Sequence, residues 1–191
     1  MKNCSKRRVF YISLVRSIFE HCSQVWNPCN STVIVKMEKL QMRAVKWILN
    51  EQFSHYSVNE YNQKLKELNL IPLNMKLKYT DLLLFFKIIN NLVPINIPSY
   101  LNIAAPIQRN NTRQSNKAFI ANDTLLFECN LRPVPTLKAF TNNYFYRTHR
   151  QWNSVPLSIR QCTNFQTFKI ELKNFLWLSL NEGIDWTVLK V

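Results

Sequence analysis

A metal or thiol site needs soft ligands held close together. The stretch EHCSQVWNPC (20–29) offers the best candidates, with one of the three histidines and two of the five cysteines. His21, Cys22 and Cys29 could supply three ligands, with Cys4 or His55 as a fourth. Structural zinc sites, however, present paired ligands from one tight turn, as in C-x2–4-C. Adjacent His21 and Cys22 point to different sides of a helix, and Cys29 lies seven residues beyond Cys22. No Cys-x-x-Cys occurs, which removes the usual redox arrangement. No metal site is expected.

Carboxylate chemistry is as sparse. The chain has three aspartates, Asp81, Asp123 and Asp185, none beside another acid, whereas two-metal phosphoryl transfer needs clustered carboxylates. Asp81 reads as a partnered core acid and Asp123 as a turn residue. The single glycine, Gly183, argues against phosphate loops, dinucleotide fingerprints and nucleophile elbows, which all use glycine for close backbone approach. No catalytic residue and no cofactor are expected.

Cations are what the chain has in excess. Its 25 basic and 11 acidic residues give a net charge of +14, which calls for a polyanionic partner, nucleic acid first and an anionic membrane second. Lys36, Lys39, Arg43 and Lys46 recur at i, i+3, i+7 and i+10, covering about a quarter of a helix surface. Such a row can follow a phosphate backbone, releasing a counterion at each contact. It can equally be an ordinary solvated face. The loop QRNNTRQSNK (108–117) adds Arg109, Arg113 and Lys117, inside an interval from Asp81 to Asp123 that holds no other acid. Trp26, Trp47 and Trp152 sit on apolar stripes or helix ends, where packing is favoured over base stacking.

The elements that carry these groups are mostly helical. Tyr11, Leu14, Val15, Ile18, Cys22 and Val25 recur at helical spacing until Pro28. A second helix begins after Ser31 or Thr32 with Val33, Met37, Leu40, Ala44, Trp47 and Ile48 on one side, forming an antiparallel pair with the first. A third covers Ser57 to Leu68, with Val58, Tyr61, Leu65 and Leu68 as its apolar face. A fourth, from Pro72 to about Leu92, is apolar nearly all round and therefore central. Prolines and asparagines then break the pattern. Phe119-Ile120 and Leu125-Leu126-Phe127 read as short extended segments, followed by helices from about Thr136 to Trp152 and from Phe165 to Leu178.

The fold class expected is mostly α: a bundle over 1–93, a basic Pro/Asn-rich connection over 94–117, a smaller mixed but mainly helical part over 118–180, and a loose end over 181–191. No apolar stretch is long enough to span a bilayer. The basic N-terminal stretch lacks a cleavage site, because Glu20 and His21 stand where small residues belong. An intracellular setting, nucleus or cytoplasm rather than secretion, is expected.

Five segments in order carry a resemblance: LVRSIFEHCSQVWNP, KMEKLQMRAVKWILN, YNQKLKELNLIPLNMKLKYTDLLLFFKIINNLVP, NNTRQSNKAF and FYRTHRQWNSVPLSIRQCTNFQTFKIELKNFL. Together they resemble the C-terminal part of LINE-type (non-LTR, jockey-like) retrotransposon reverse transcriptases, from about Phe10 to Leu178. The resemblance implies a thumb-like bundle that grips the template–primer duplex, with Lys36, Lys39, Arg43 and Lys46 facing phosphates. It implies RNA or target-DNA contacts from the part beyond about Val93. The family's Phe/Tyr-x-Asp-Asp polymerase motif and its endonuclease precede the matching region, and neither occurs in these residues. The chain is therefore expected to be a non-catalytic fragment whose partners are RNA or DNA and the parent's palm domain. The alternative is a helical protein-interaction module. A membrane-surface role is disfavoured because the helices are expected to bury their apolar faces on one another.

Overall fold

A computed structural model describes residues 2–27, 31–51, 56–103, 126–131, 140 and 142–179. Among them the chain is mostly helical, with one two-stranded sheet. It divides into two compact units, residues 1–81 with 173–191, and residues 82–172. The connection expected over 94–117 lies largely outside the described residues, as do 118–125 and 180–191.

The first unit opens with α1 (Lys2–Phe10), a π-helical turn (Tyr11–Arg16), α2 (Ser17–Glu20) and α3 (Ser23–Trp26). The π turn overturns the apolar face expected from α-helical spacing. Tyr11 and Arg16, five apart, are both buried. An i→i+5 winding stacks residues five apart, whereas an α-helix would set them about 140° apart. Leu14, Val15 and Ile18 consequently face outward. The helix then breaks at Cys22, whose φ of 49° is left-handed. Cys22 and Val25 are exposed rather than packed, and Ser23 is the buried residue of that stretch.

Helix α4 (Ser31–Leu49) packs against α1 and Tyr11 in the antiparallel sense, as the short connection between the two segments predicts. The Arg7 Nη1 donates to the Trp47 carbonyl at 2.9 Å, and the Tyr11 hydroxyl donates to Gln41 Oε1 at 3.0 Å. Met37, Val45 and Ile48 are buried, but Val33, Leu40 and Trp47, expected on the same apolar side, are exposed. Helix α5 (Val58–Glu67) starts at a capping box. Ser57 Oγ accepts from the Glu60 N–H at 3.3 Å, and the Glu60 carboxylate accepts from the Ser57 N–H at 2.7 Å. Its Tyr61 and Leu65, with Leu68 just beyond, join Tyr11, Val45 and Ile48 in the core.

With one glycine in the chain, the left-handed residue that closes a helix has to come from elsewhere. Asn50, Asn69 and Asn91 take φ values of 62°, 48° and 53° just past α4, α5 and α6 (Leu73–Ile89). At each, the next N–H reaches back five residues. Glu51 donates to the Lys46 carbonyl at 2.9 Å, Leu70 to Leu65 at 2.8 Å, and Leu92 to Lys87 at 2.8 Å. These are Schellman closures in which asparagine stands in for glycine.

The second unit holds residues 82–89 of α6, strands β1 (Leu101–Ile103) and β2 (Phe127–Cys129), α7 (Tyr144–Asn153), α8 (Leu157–Arg160) and the start of α9 (Phe165–Ser179). The strands pair antiparallel with Asn102 opposite Glu128. Of the extended segments expected, Phe127 begins β2, while Phe119 and Ile120 lie outside the described residues. Of the helix expected from about Thr136 to Trp152, Tyr144–Asn153 forms α7, and the Asn143 side chain caps it by accepting the Phe145 N–H at 3.0 Å; Phe140 is also helical, and 136–139 and 141 lie outside the described residues. Phe85 packs edge-on against Phe127 and Trp152, with centroids 5.3 and 5.5 Å away. Phe86 stacks on Phe168 at 4.2 Å. In the Trp-Asn-Ser-Val-Pro run at 152–156, Trp152 and Val155 are buried. Asn153 clamps β2 in the manner of a neighbouring strand. Its Oδ1 accepts from the Phe127 N–H at 3.0 Å, and its Nδ2 donates to the Phe127 carbonyl at 2.8 Å.

Two sets of substitutions check this account by urea unfolding followed by circular dichroism. Asn69→Ala is expected to lower stability by about 1 kcal/mol, because a Cβ without a compensating amide is forced into the left-handed region, while Asn69→Gly stays near neutral. Trp152→Ala is expected to cost about 3–5 kcal/mol through the cavity it leaves.

Candidate nucleic-acid interface

The basic row lies on the longest helix described, the 19-residue α4, whose core-facing side fixes the outward direction of the rest. Lys36 and Arg43 are exposed, and Lys39 and Lys46 are half-buried. Lys46 places its Nζ 5.4 Å from the centre of the Tyr56 ring, a cation–π contact that steadies the ammonium without neutralising it. Arg7 of α1 comes to the same end of the row. Its guanidinium lies 5.5 Å from the Trp47 ring centre and donates to Asn50 Oδ1 at 3.2 Å. Arg7 was not singled out by spacing on α4, since only the antiparallel pairing with α1 brings it there. Arg109, Arg113 and Lys117 lie outside the described residues, so the second part of the expected basic surface has no described position.

Behind the row is a buried polar network that periodicity alone does not reveal. Glu38, Gln41 and Arg16 are each at most 5% exposed. The Ile71 carbonyl accepts from Arg16 Nη2 and from Gln41 Nε2, both at 3.1 Å. Glu38 accepts from the Asn74 N–H at 2.9 Å and from the Tyr61 hydroxyl at 3.4 Å. Arg16 also pairs with Glu20 at 2.9 Å, and Glu20 in turn lies 3.5 Å from Lys76. Burial pushes the Glu38 carboxyl up to about 7, against the lowering effects of the Asn74 and Tyr61 hydrogen bonds and the Arg16 charge. Burial likewise raises the Tyr11 and Tyr61 hydroxyls above their ordinary value. The signal for Glu38 and Gln41 was present: two polar residues three apart, flanked by Met37 and Val45 on the core side of α4.

The reactive stretch is built as architecture. His21 and Cys22 are exposed, and Cys29 and His55 lie outside the described residues. Trp26 Nε1 donates to the His21 carbonyl at 2.7 Å. Asp81, fully buried, accepts from Asn27 Nδ2 at 2.8 Å, which agrees with its reading as a partnered core acid. Asp123 and Asp185 are outside the described residues. Among the described residues no three His, Cys, Asp or Glu side chains converge on a point that could hold a metal ion, and no helix is long and apolar enough to cross a membrane.

Comparison of the chain with protein-family models, with curated proteins and with solved structures finds no match.

The Glu38 carboxyl makes the stability of the first unit pH-dependent. Its pKa rises on folding from 4.5 to about 7, so the folded chain holds a proton that the unfolded chain releases between those values. Stability is therefore expected to fall as pH rises through that window, by on the order of 3 kcal/mol, and to level off above it. Glu38→Gln is expected to remove most of this slope, measured by urea unfolding at a series of pH values.

Proposed function

We propose that this chain is a non-catalytic, thumb-like portion of a LINE-type RNA-directed DNA polymerase that holds nucleic acid by its phosphates. The observation that carries the proposal is the row Lys36, Lys39, Arg43 and Lys46 along one side of α4, two of them exposed, in a chain of net charge +14. A rigid helix with cations about 5–10 Å apart along its axis can contact several successive phosphates of one strand. The mostly helical fold and the ordered run of resembling segments support the same reading. On it, the region 1–93 is the thumb-like bundle, and the parts beyond add contacts to RNA or target DNA. The parent's palm domain is the expected protein partner. A helical protein-interaction module is the alternative, and the exposed apolar residues Leu14, Ile18, Leu40 and Trp47 favour it.

The proposal is tested by fluorescence anisotropy of a labelled RNA–DNA duplex over about 50 to 200 mM salt, where phosphate contacts give a steep log-linear loss of affinity. Lys36→Ala and Arg43→Ala are each expected to weaken binding similarly for all sequences and to reduce the salt slope by about 1. Absence of binding at the lowest salt, or an unchanged slope in both variants, overturns the reading.

A further inference from the structure

The outward side of α4 carries two parallel rows, and phosphate binding uses only one of them. Val33, Leu40 and Trp47 are 41%, 46% and 39% exposed. Spaced seven apart, they form an almost straight apolar line about 21 Å long. Lys36 and Arg43, also seven apart, are exposed and lie within about 60° of that line around the helix. The one acid on α4, Glu38, is buried on the opposite side, so the outward side of this helix carries apolar and basic residues and no acid of its own.

The shape of the row narrows its occupant. Each of its side chains is more than half covered, and the Arg7 guanidinium lies against Trp47. Leu14 and Ile18, at 63% and 70%, protrude by comparison. A row of seven-residue period matches the apolar seam of another helix, whose side chains fit between its own. A second copy of this chain would bring its own Lys36 and Arg43, and a net charge of +14, to the same seam. A bare polyanion would pair with the cations and leave the apolar row in water.

We propose that α4 is a docking seat for an amphipathic helix of a partner protein, with an apolar seam repeating every seven residues and an acidic flank that meets Lys36 and Arg43. Leu40 is the central contact, Trp47 closes one end of the row, and the cations select the flank. The length of the row matches two heptads of the incoming helix. This inference shares Lys36 and Arg43 with the duplex reading but rests on the apolar row, which phosphate contacts do not use.

The test uses the full chain and a labelled three-heptad peptide with Leu at the a and d positions and Glu at e and g. A peptide of the same composition in scrambled order is the control. At about 0.5 M salt, where exposed charge pairs are largely screened, the heptad peptide is expected to bind at least about tenfold tighter than the scrambled one. Leu40→Ser with Val33→Ser should weaken it by tenfold or more while the far-UV spectrum keeps its helical form, and Ile18→Ser should leave it unchanged. At low salt, Lys36→Glu with Arg43→Glu should shift preference to a peptide with Lys at e and g. Equal binding of the scrambled peptide overturns the proposal, as does indifference to the two serines. It is also overturned if those serines abolish binding to vesicles of phosphatidylserine and phosphatidylcholine, or abolish a self-association seen by sedimentation, while peptide binding is unaffected. Leu40→Ser keeps every cation of the row, so duplex binding by this variant reports separately on the phosphate reading.

Discussion

The first unit depends on one carbonyl oxygen. Ile71 lies in the run between α5 and α6 where the backbone has neither helix nor strand to pair with, yet Leu70, Ile71 and Leu73 are buried. A buried carbonyl without a donor costs roughly as much as a lost hydrogen bond. Here it receives two, from the π turn through Arg16 and from α4 through Gln41. Arg8 adds a third tether three residues earlier, at the Leu68 carbonyl. The N-terminal helix, α4 and the α5–α6 crossing are therefore fastened through side chains at a place where apolar packing alone would leave polar groups unpaired. Glu38 completes the arrangement by capping the start of α6 at Asn74.

That constraint explains the outward surface. Once Arg16, Glu38 and Gln41 are committed inward, the rotation of both helices is fixed, and the remaining residues face water whatever their polarity. Leu14, Ile18, Leu40 and Trp47 are exposed for this reason. So are Lys36 and Arg43. The basic row and the apolar row are two readings of one rotational setting, and neither could be altered without moving the buried polar groups.

Much of the fold was legible in the residues. The helices at 31–49, 58–67, 73–89 and 165–179 lie where helical spacing places them, and Ser57 with Glu60 announces α5. The buried face of the first helix does not follow from 3.6-residue spacing, because nothing in YISLVR marks the extra residue per turn. Hydrophobicity alone places Leu40 and Trp47 inward, and the burial of Glu38 and Gln41 on the same helix turns them outward. The cations of α4 were legible as a row, but Arg7 was not, since its place at Trp47 follows from pairing two helices some forty residues apart. The asparagines after α4, α5 and α6 carry a signal of their own, because a chain with one glycine has few other residues able to close those helices.

The π turn at Tyr11–Arg16 has a mechanical consequence. A wider turn takes up one residue of slack in an otherwise α-helical rod. Removing one of its residues between Tyr11 and Arg16 would restore ordinary winding and leave everything upstream facing nearly the same way, because five α-helical residues turn the chain about as far as six π-helical ones. Removing Val9 or Phe10 from α1 instead would turn what precedes it by about 100° about the helix axis, so that Arg7 would leave Trp47 and Arg8 would leave Leu68. The turn thus behaves as a slack coupling, which absorbs a change of count that the rod on its N-terminal side would pass on as rotation.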